Sequence, residues 1–236
     1  MKIISSKFLS LFLPHKCTFC REAISYKNNT FICESCMENI PFIKGDVCVR
    51  CSSPRQSGSM PVCNTCRKYS HPFTSSFTPL TYTGKVRRAL LNLKFHNKEN
   101  YCRSFSFLIA NNIMQKGYPD FDFITYIPLP PERLKERGFN QSELIAKGVG
   151  SILNIPVTDT LFRVNGSAKQ SSLSSAERRK NPKKSFFARD MKLKGTALLI
   201  DDIYTTGSTL AYTSSLLLKM GCDKVYIATA ALQVKK

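Results

Sequence analysis

The sequence predicts an α/β protein, a parallel sheet with flanking helices, preceded by a small cysteine-rich module. Three observations predict it. Two bounded apolar runs, Phe123 to Pro128 and Ala197 to Ile200, each lead through a polar loop into a helical pattern, the strand–loop–helix unit of a parallel sheet. Four Cys-x2-Cys pairs crowd the first third of the chain. The 236 residues, 42% of them hydrophobic, suffice for one real core and one small module. The module is expected over residues 1–70 and the larger domain over 71–236.

The net charge of +19 attracts nucleic acid, anionic membrane or phosphorylated small molecules, without choosing among them. No run approaches the roughly 18 apolar residues of a membrane span. The first thirteen residues read as a short amphipathic segment, since the apolar patch Phe8 to Leu13 is short and broken by Ser10, unlike a secretion signal. A cytoplasmic location follows as the expectation. The eight cysteines of the four pairs are then metal ligands before they are disulfides.

Cys17 and Cys20 are followed by Cys33 and Cys36, and Cys48 and Cys51 by Cys63 and Cys66. Each pair is a knuckle that sets two thiolates on one ion, and tetrahedral zinc needs two knuckles. Two structural zinc ions are expected, because four thiolates leave no open position for catalysis. Consecutive ribbons are the simplest pairing; the similar gap from Cys36 to Cys48 leaves a nested pairing open. Few core residues lie between the knuckles, so metal binding supplies most of the folding energy there. His71 reads as a linker residue, and Cys102 as a small core residue.

Phe73 to Tyr82 is expected as a strand made irregular by Pro79. After a turn at Thr83-Gly84, Val86, Leu90, Leu93 and Phe95 mark the apolar stripe of a helix, with Lys85, Arg87, Arg88, Lys94 and Lys98 on its basic face. Lys85, Arg87, Arg88 and Lys94, beside the ribbons, form a track for a nucleic-acid backbone. A second helix is expected from about Tyr101 to Gln115.

In the larger domain, Phe123 to Pro128 leads into a loop, Leu129 to Gly138, that carries Arg133, Lys135 and Arg137, and then into a helix from about Phe139 to Leu153. Arginine's planar fork suits phosphate oxygens, so this loop faces pyrophosphate. Leu161 to Val164 reads as a strand and Asn165 to Lys184 as a long polar loop of functional kind. Ala197 to Ile200 is a buried strand. Asp201 and Asp202 follow it, then the hydroxyl-rich turn Thr205, Thr206, Gly207, Ser208 and Thr209, then a helix along Leu210, Leu216, Leu217 and Met220 that stops at Gly221. A small-residue turn at a helix start offers free N–H groups to a phosphate, and paired carboxylates accept hydrogen bonds from a diol. Together they describe a ribose 5-phosphate. Val225 to Ala231 supplies a last buried strand.

The stretch LLIDDIYTTGST resembles the phosphoribosyl-pyrophosphate (PRPP) signature of type I phosphoribosyltransferases. Taken with the four knuckles, KVRRALLNLKFHNK and PLPPERLKERGFNQSELIA in that order, the chain resembles the ComF family of bacterial competence. The resemblance implies a phosphoribosyltransferase-like sheet behind a double zinc ribbon, with Asp201 and Asp202 on the ribose and Thr205 to Thr209 on the 5-phosphate. It implies Mg2+ bound with PRPP, and a mobile loop carrying Arg163, Lys169, Gln170, Arg178 and Asn181. It implies an association with DNA uptake, with single-stranded DNA and a DNA-uptake helicase or recombination proteins as partners. One departure matters: purine-salvage enzymes of that superfamily carry an acidic residue where this chain has Thr205. Two functions of different class stay open, transfer of phosphoribose to an acceptor and non-catalytic binding of single-stranded DNA.

Overall fold

The computed structural model describes residues 15–25, 27–56, 58, 60–69, 71–94, 98–117, 119–164 and 185–234. The first ribbon opens with β1 (His15–Lys16) paired antiparallel to β2 (Ala23–Ile24), and its second knuckle starts α1 (Glu34–Asn39) at Cys33. The second ribbon is closed by a bridge between Val47 and Pro54, and its second knuckle starts α2 (Asn64–Lys68) at Cys63.

The segment expected as one strand is two, β3 (Ser76–Phe77) and β4 (Leu80–Thr81). Thr78 and Pro79 divide them, because proline lacks the N–H a ladder needs. Thr78 Oγ1 instead meets Thr229 Oγ1 at 2.8 Å. The chain continues through α3 (Gly84–Leu93), α4 (Lys98–Lys116), β5 (Phe123–Tyr126), α5 (Pro131–Arg137), α6 (Gln141–Leu153), β6 (Leu161–Arg163), β7 (Phe186–Ala188), β8 (Thr196–Tyr204), α7 (Ser208–Lys219) and β9 (Lys224–Leu232). The sheet order is β3–β9–β8–β5, with β4 also on β9, and every pairing in it is parallel. The expected fold class, a parallel sheet with flanking helices behind a double ribbon, is the one found.

Strand periodicity divides the core. Leu198 and Ile200 of β8 join Phe105 and Ile109 of α4 and Ile145 and Val149 of α6 on one face. Ala197 and Leu199 join Leu210 and Leu217 of α7 on the other. Gly148 lets α4 and α6 approach closely, since a Cβ there would collide with the Ser106 side chain. No helix among the described residues is long and apolar enough to cross a membrane.

Two expectations change. Arg133, Lys135 and Arg137 stand on the short helix α5 and not in a loop; Pro131 opens that helix and Gly138, at φ 71°, closes it. Asp201 and Asp202 do not follow β8 but lie within it, because Asp201 pairs Thr229 and the ladder runs on through Tyr204.

Candidate functional site

The thiols settle the knuckle pairing. Cys17, Cys20, Cys33 and Cys36 form one group and Cys48, Cys51, Cys63 and Cys66 the other, the ligand atoms of each within 4.8 Å of one another. The ribbons are therefore consecutive, not nested. Cys20 and Cys33 Sγ stand 3.6 Å apart and Cys51 and Cys63 Sγ 3.7 Å. Four sulfurs about 2.3 Å from a tetrahedral zinc would lie about 3.8 Å from one another, so both groups fit the ion. Backbone amides prepare the thiolates: Cys33 N donates to Cys17 Sγ and Cys63 N to Cys48 Sγ. Burial raises the Cys17 and Cys48 thiols, but several backbone amides together outweigh it, those of Cys20, Cys33 and Phe19 at Cys17 and of Cys63, Cys51 and Arg50 at Cys48, and bring each down to about 7.

The second site is a cleft of about 300 Å3 at the C-terminal edge of the sheet. Lys94, Arg133, Arg137 and Arg163 line it, facing Asp201 and Asp202, with Gln141, Ser142 and Thr209 between. Arg133 and Arg137 share one face of α5 at helical spacing; Lys135 falls off that face and is exposed. Asn140 caps α6, its Oδ1 accepting from Ser142 N at 3.0 Å while its Nδ2 donates to Ile127 O at 2.9 Å. That cap fixes the first turn of α6 against the carboxylates. Ser142 Oγ donates to Asp201 Oδ1 at 3.0 Å, and Gln141 Nε2 to Asp202 Oδ2 at 3.2 Å. Lys94 Nζ reaches the same Asp202 oxygen at 3.2 Å.

Burial and then the adjacent Asp202 charge push the Asp201 carboxyl well above the usual carboxylate range. Burial and then Arg133 lower the Arg163 guanidinium. The Arg137 guanidinium gives one N–H to Gln141 Oε1 at 3.3 Å, while its Nε is buried without a partner. Four cations around two carboxylates, one of them pressed toward neutrality, leave the cleft positive and suited to a polyanion.

The hydroxyl turn divides between two cavities. Thr209 lines the cationic cleft. Thr205, Thr206 and Ser208 line a separate cleft of about 830 Å3 against the second ribbon. Gly207, at φ 73°, caps α7, and a Cβ there would strike the Tyr204 ring. Thr206 Oγ1 meets Ser208 Oγ at 2.9 Å.

Of the four cations placed on a nucleic-acid track, Lys85, Arg87 and Arg88 are exposed on α3. Lys94, which follows that helix, turns instead into the cationic cleft. Arg163, grouped with the long polar loop, ends β6, its guanidinium 4.5 Å from the centre of the Phe186 ring. Lys169, Gln170, Arg178 and Asn181 lie outside the described residues, as do Phe95 and the amphipathic segment. His71 is in neither thiol group, which agrees with its reading as a linker residue. Sequence reasoning gave no role to Gln141 and Ser142. The available signal was their polarity at the start of an apolar helix, where both are buried to within 4% exposure.

The double zinc ribbon domain family matches residues 8–72. The chain is 31% identical over 198 residues to competence protein ComFC of Bacillus subtilis, covering 80% of this chain and 79% of that one. It is 28% identical to DNA utilization protein YhgH of Salmonella typhi, covering 92% and 96%. A solved purine phosphoribosyltransferase from Pyrococcus horikoshii is similar at 17% identity and a TM-score of 0.33, covering 54% of this chain and 70% of that one.

Proposed function

The chain belongs to the ComF family, and on that premise we propose that it is a PRPP-binding, phosphoribosyltransferase-like protein of DNA uptake that transfers phosphoribose to an acceptor. One observation carries the PRPP reading: two adjacent carboxylates and four cations from four separate parts of the chain, Lys94, α5, β6 and β8, converge on one cleft. In this reading Asp201 and Asp202 accept hydrogen bonds from the ribose diol. The start of α7, Thr205 to Thr209, takes the 5-phosphate on its free N–H groups. Arg133 and Arg137, with Lys135 behind them, face pyrophosphate. Mg2+, held mainly by the ligand's own oxygens, would supply charge neutralisation at the pyrophosphate. Lys94 occupies the diol position at Asp202 and is displaced as the sugar enters.

Calorimetric titration with PRPP and ribose 5-phosphate tests this. Asp202→Ala is expected to weaken PRPP by about 1.5–3 kcal/mol per lost charged hydrogen bond. Arg137→Ala is expected to weaken PRPP more than ribose 5-phosphate. Wild-type binding retained in Asp202→Ala removes the ribose assignment. Pyrophosphate release with candidate acceptors tests turnover.

A second reading, non-catalytic binding of single-stranded DNA, is favoured by the exposed Lys85, Arg87 and Arg88 and the net charge of +19. Phosphate-dominated binding falls steeply with salt. Affinity flat in salt, or unchanged after reversal of those three charges, removes this surface.

A further inference from the structure

We infer that the cleft between the second ribbon and the hydroxyl turn is a nucleobase site, in which one planar heteroaromatic ring is held among tyrosine and histidine rings. The cleft, about 830 Å3, falls within the roughly 300–1,000 Å3 of pockets that take small ligands. The second ribbon lines it with Cys63 to Cys66, Tyr69, His71 and Pro72, and Tyr204 to Thr206, Ser208, Tyr212 and Leu232 at the end of β9 complete the lining. Apolar surface predominates, and four of the lining residues are aromatic: Tyr69, His71 and Tyr212, with Tyr204 largely buried behind them. His71 lies nearly parallel to Phe73, 11° between planes and 4.9 Å between centroids, which fixes the imidazole.

These features select the ligand. Aromatic faces hold any base by stacking, and hydroxyl groups serve the polar edge of a ring. Thr65, Thr205 and Thr206 line the cleft and carry such groups. Tyr69 is 56% exposed at the rim, a large aromatic surface with little cover, and Lys68 Nζ lies 5.6 Å from its ring. Arg67 and Lys68, both exposed at the end of α2, supply the positive charge that a base joined to a phosphodiester strand requires. The site deepens the nucleic-acid reading above and rests on it; Thr205 and Thr206 belong both to this cleft and to the turn proposed for the 5-phosphate, so the two sites adjoin there. A free nucleoside and an unpaired base within a strand offer the same ring.

The chain contains no tryptophan, so Tyr69→Trp installs a single indole at the rim, at an exposed position that leaves the fold intact. Its fluorescence is titrated with thymidine, adenosine, oligo(dT) and an abasic oligonucleotide of the same length, while anisotropy of labelled strands reports binding anywhere on the protein. Quenching by nucleosides and oligo(dT) assigns the site to a free ring; quenching by oligo(dT) alone assigns it to a base within a strand. Both support the inference. In the wild-type background, Tyr212→Ala is expected to weaken oligo(dT) about 5- to 150-fold, the range of one lost stacking contact, and to leave the abasic strand unchanged. Equal quenching by the abasic strand overturns the inference, as does a silent indole. A silent indole with strands still bound leaves the nucleic-acid reading standing; nucleoside quenching without strand binding does the reverse.

Discussion

The first ribbon sends Phe19, Ile32 and Ile40 into the core beside Phe105 and Ile109, whereas the second contributes only its cysteines to the buried apolar residues described between 46 and 72. Phe19 meets Phe105 edge to face at 5.9 Å. Thr18 Oγ1 and Ser104 Oγ pair at 2.6 Å, Ser104 Oγ donates to Thr30 O, and Arg21 donates to the Tyr101 hydroxyl at 2.9 Å. The second ribbon is tied by Ser52 Oγ donating to Ser76 O, Ser75 Oγ to Val49 O and Lys116 Nζ to Ser52 Oγ; its buried Cys48, Cys51 and Cys66 join the cluster of Ala197 and Leu199, and the rest of it lines a cleft. Identical ligand chemistry thus serves two ends. One ion secures a piece of the core; the other holds up a wall.

The comparison breaks most readily at the metal sites. Structural zinc is worth about 10–16 kcal/mol in zinc-finger peptides, so loss of either site should unfold its ribbon. Cys36→Ser is expected to lower the melting temperature of the whole protein, because the core loses Phe19, Ile32 and Ile40 with the ribbon. Cys66→Ser should release one zinc by elemental analysis yet leave the main thermal transition close to wild type. Equal loss of melting temperature in the two variants would show both ribbons to be equally bound to the core.

Smaller effects sharpen the same contrast. Phe19→Ala should cost about 3–5 kcal/mol in denaturant unfolding, the range for a buried phenylalanine. Ser104→Ala leaves Thr18 Oγ1 buried without its partner and should cost about 1–3 kcal/mol; the same assay reads it. Tyr69→Ala, on the exposed rim of the second ribbon, should stay within about 0.5 kcal/mol of wild type. A cost there near that of Phe19→Ala would mean that the second ribbon is as deeply packed as the first.

Much of this was legible in the sequence, for physical reasons. Cysteine knuckles announce themselves because only a few spacings close a tetrahedral site. The strand Ala197 to Ile200 was visible as a run buried on both faces, and the hydroxyl turn as a helix start. The ribbon pairing was not legible, because equal gaps fit two connections and only the fold decides. Lys94 read as one more cation on a basic helix; its turn toward Asp202 depends on where α3 ends relative to β8, a long-range fact with no local signal. The carboxylates were placed beyond the strand because acids are poor strand formers, yet β9 pairs past them and carries β8 on to Tyr204. That Thr209 faces one cleft and Thr205 another follows from the helix start itself.

The position of β9 also sets an order in time. It hydrogen-bonds β8 on one side and β3 and β4 on the other, so the centre of the sheet is the last of these strands to leave the ribosome. Between Cys66 and Leu232 lie 166 residues of synthesis, roughly 8–33 s at typical rates. Both thiolate sets exist through that interval and can take metal at once. The sheet cannot form, and Phe19, Ile32 and Ile40 have no complete core to enter. The interval is therefore the period in which the thiols are most open to oxidation and the first ribbon's apolar side chains to aggregation, and early metal capture by the ribbons closes the first of those risks before the sheet can close the second.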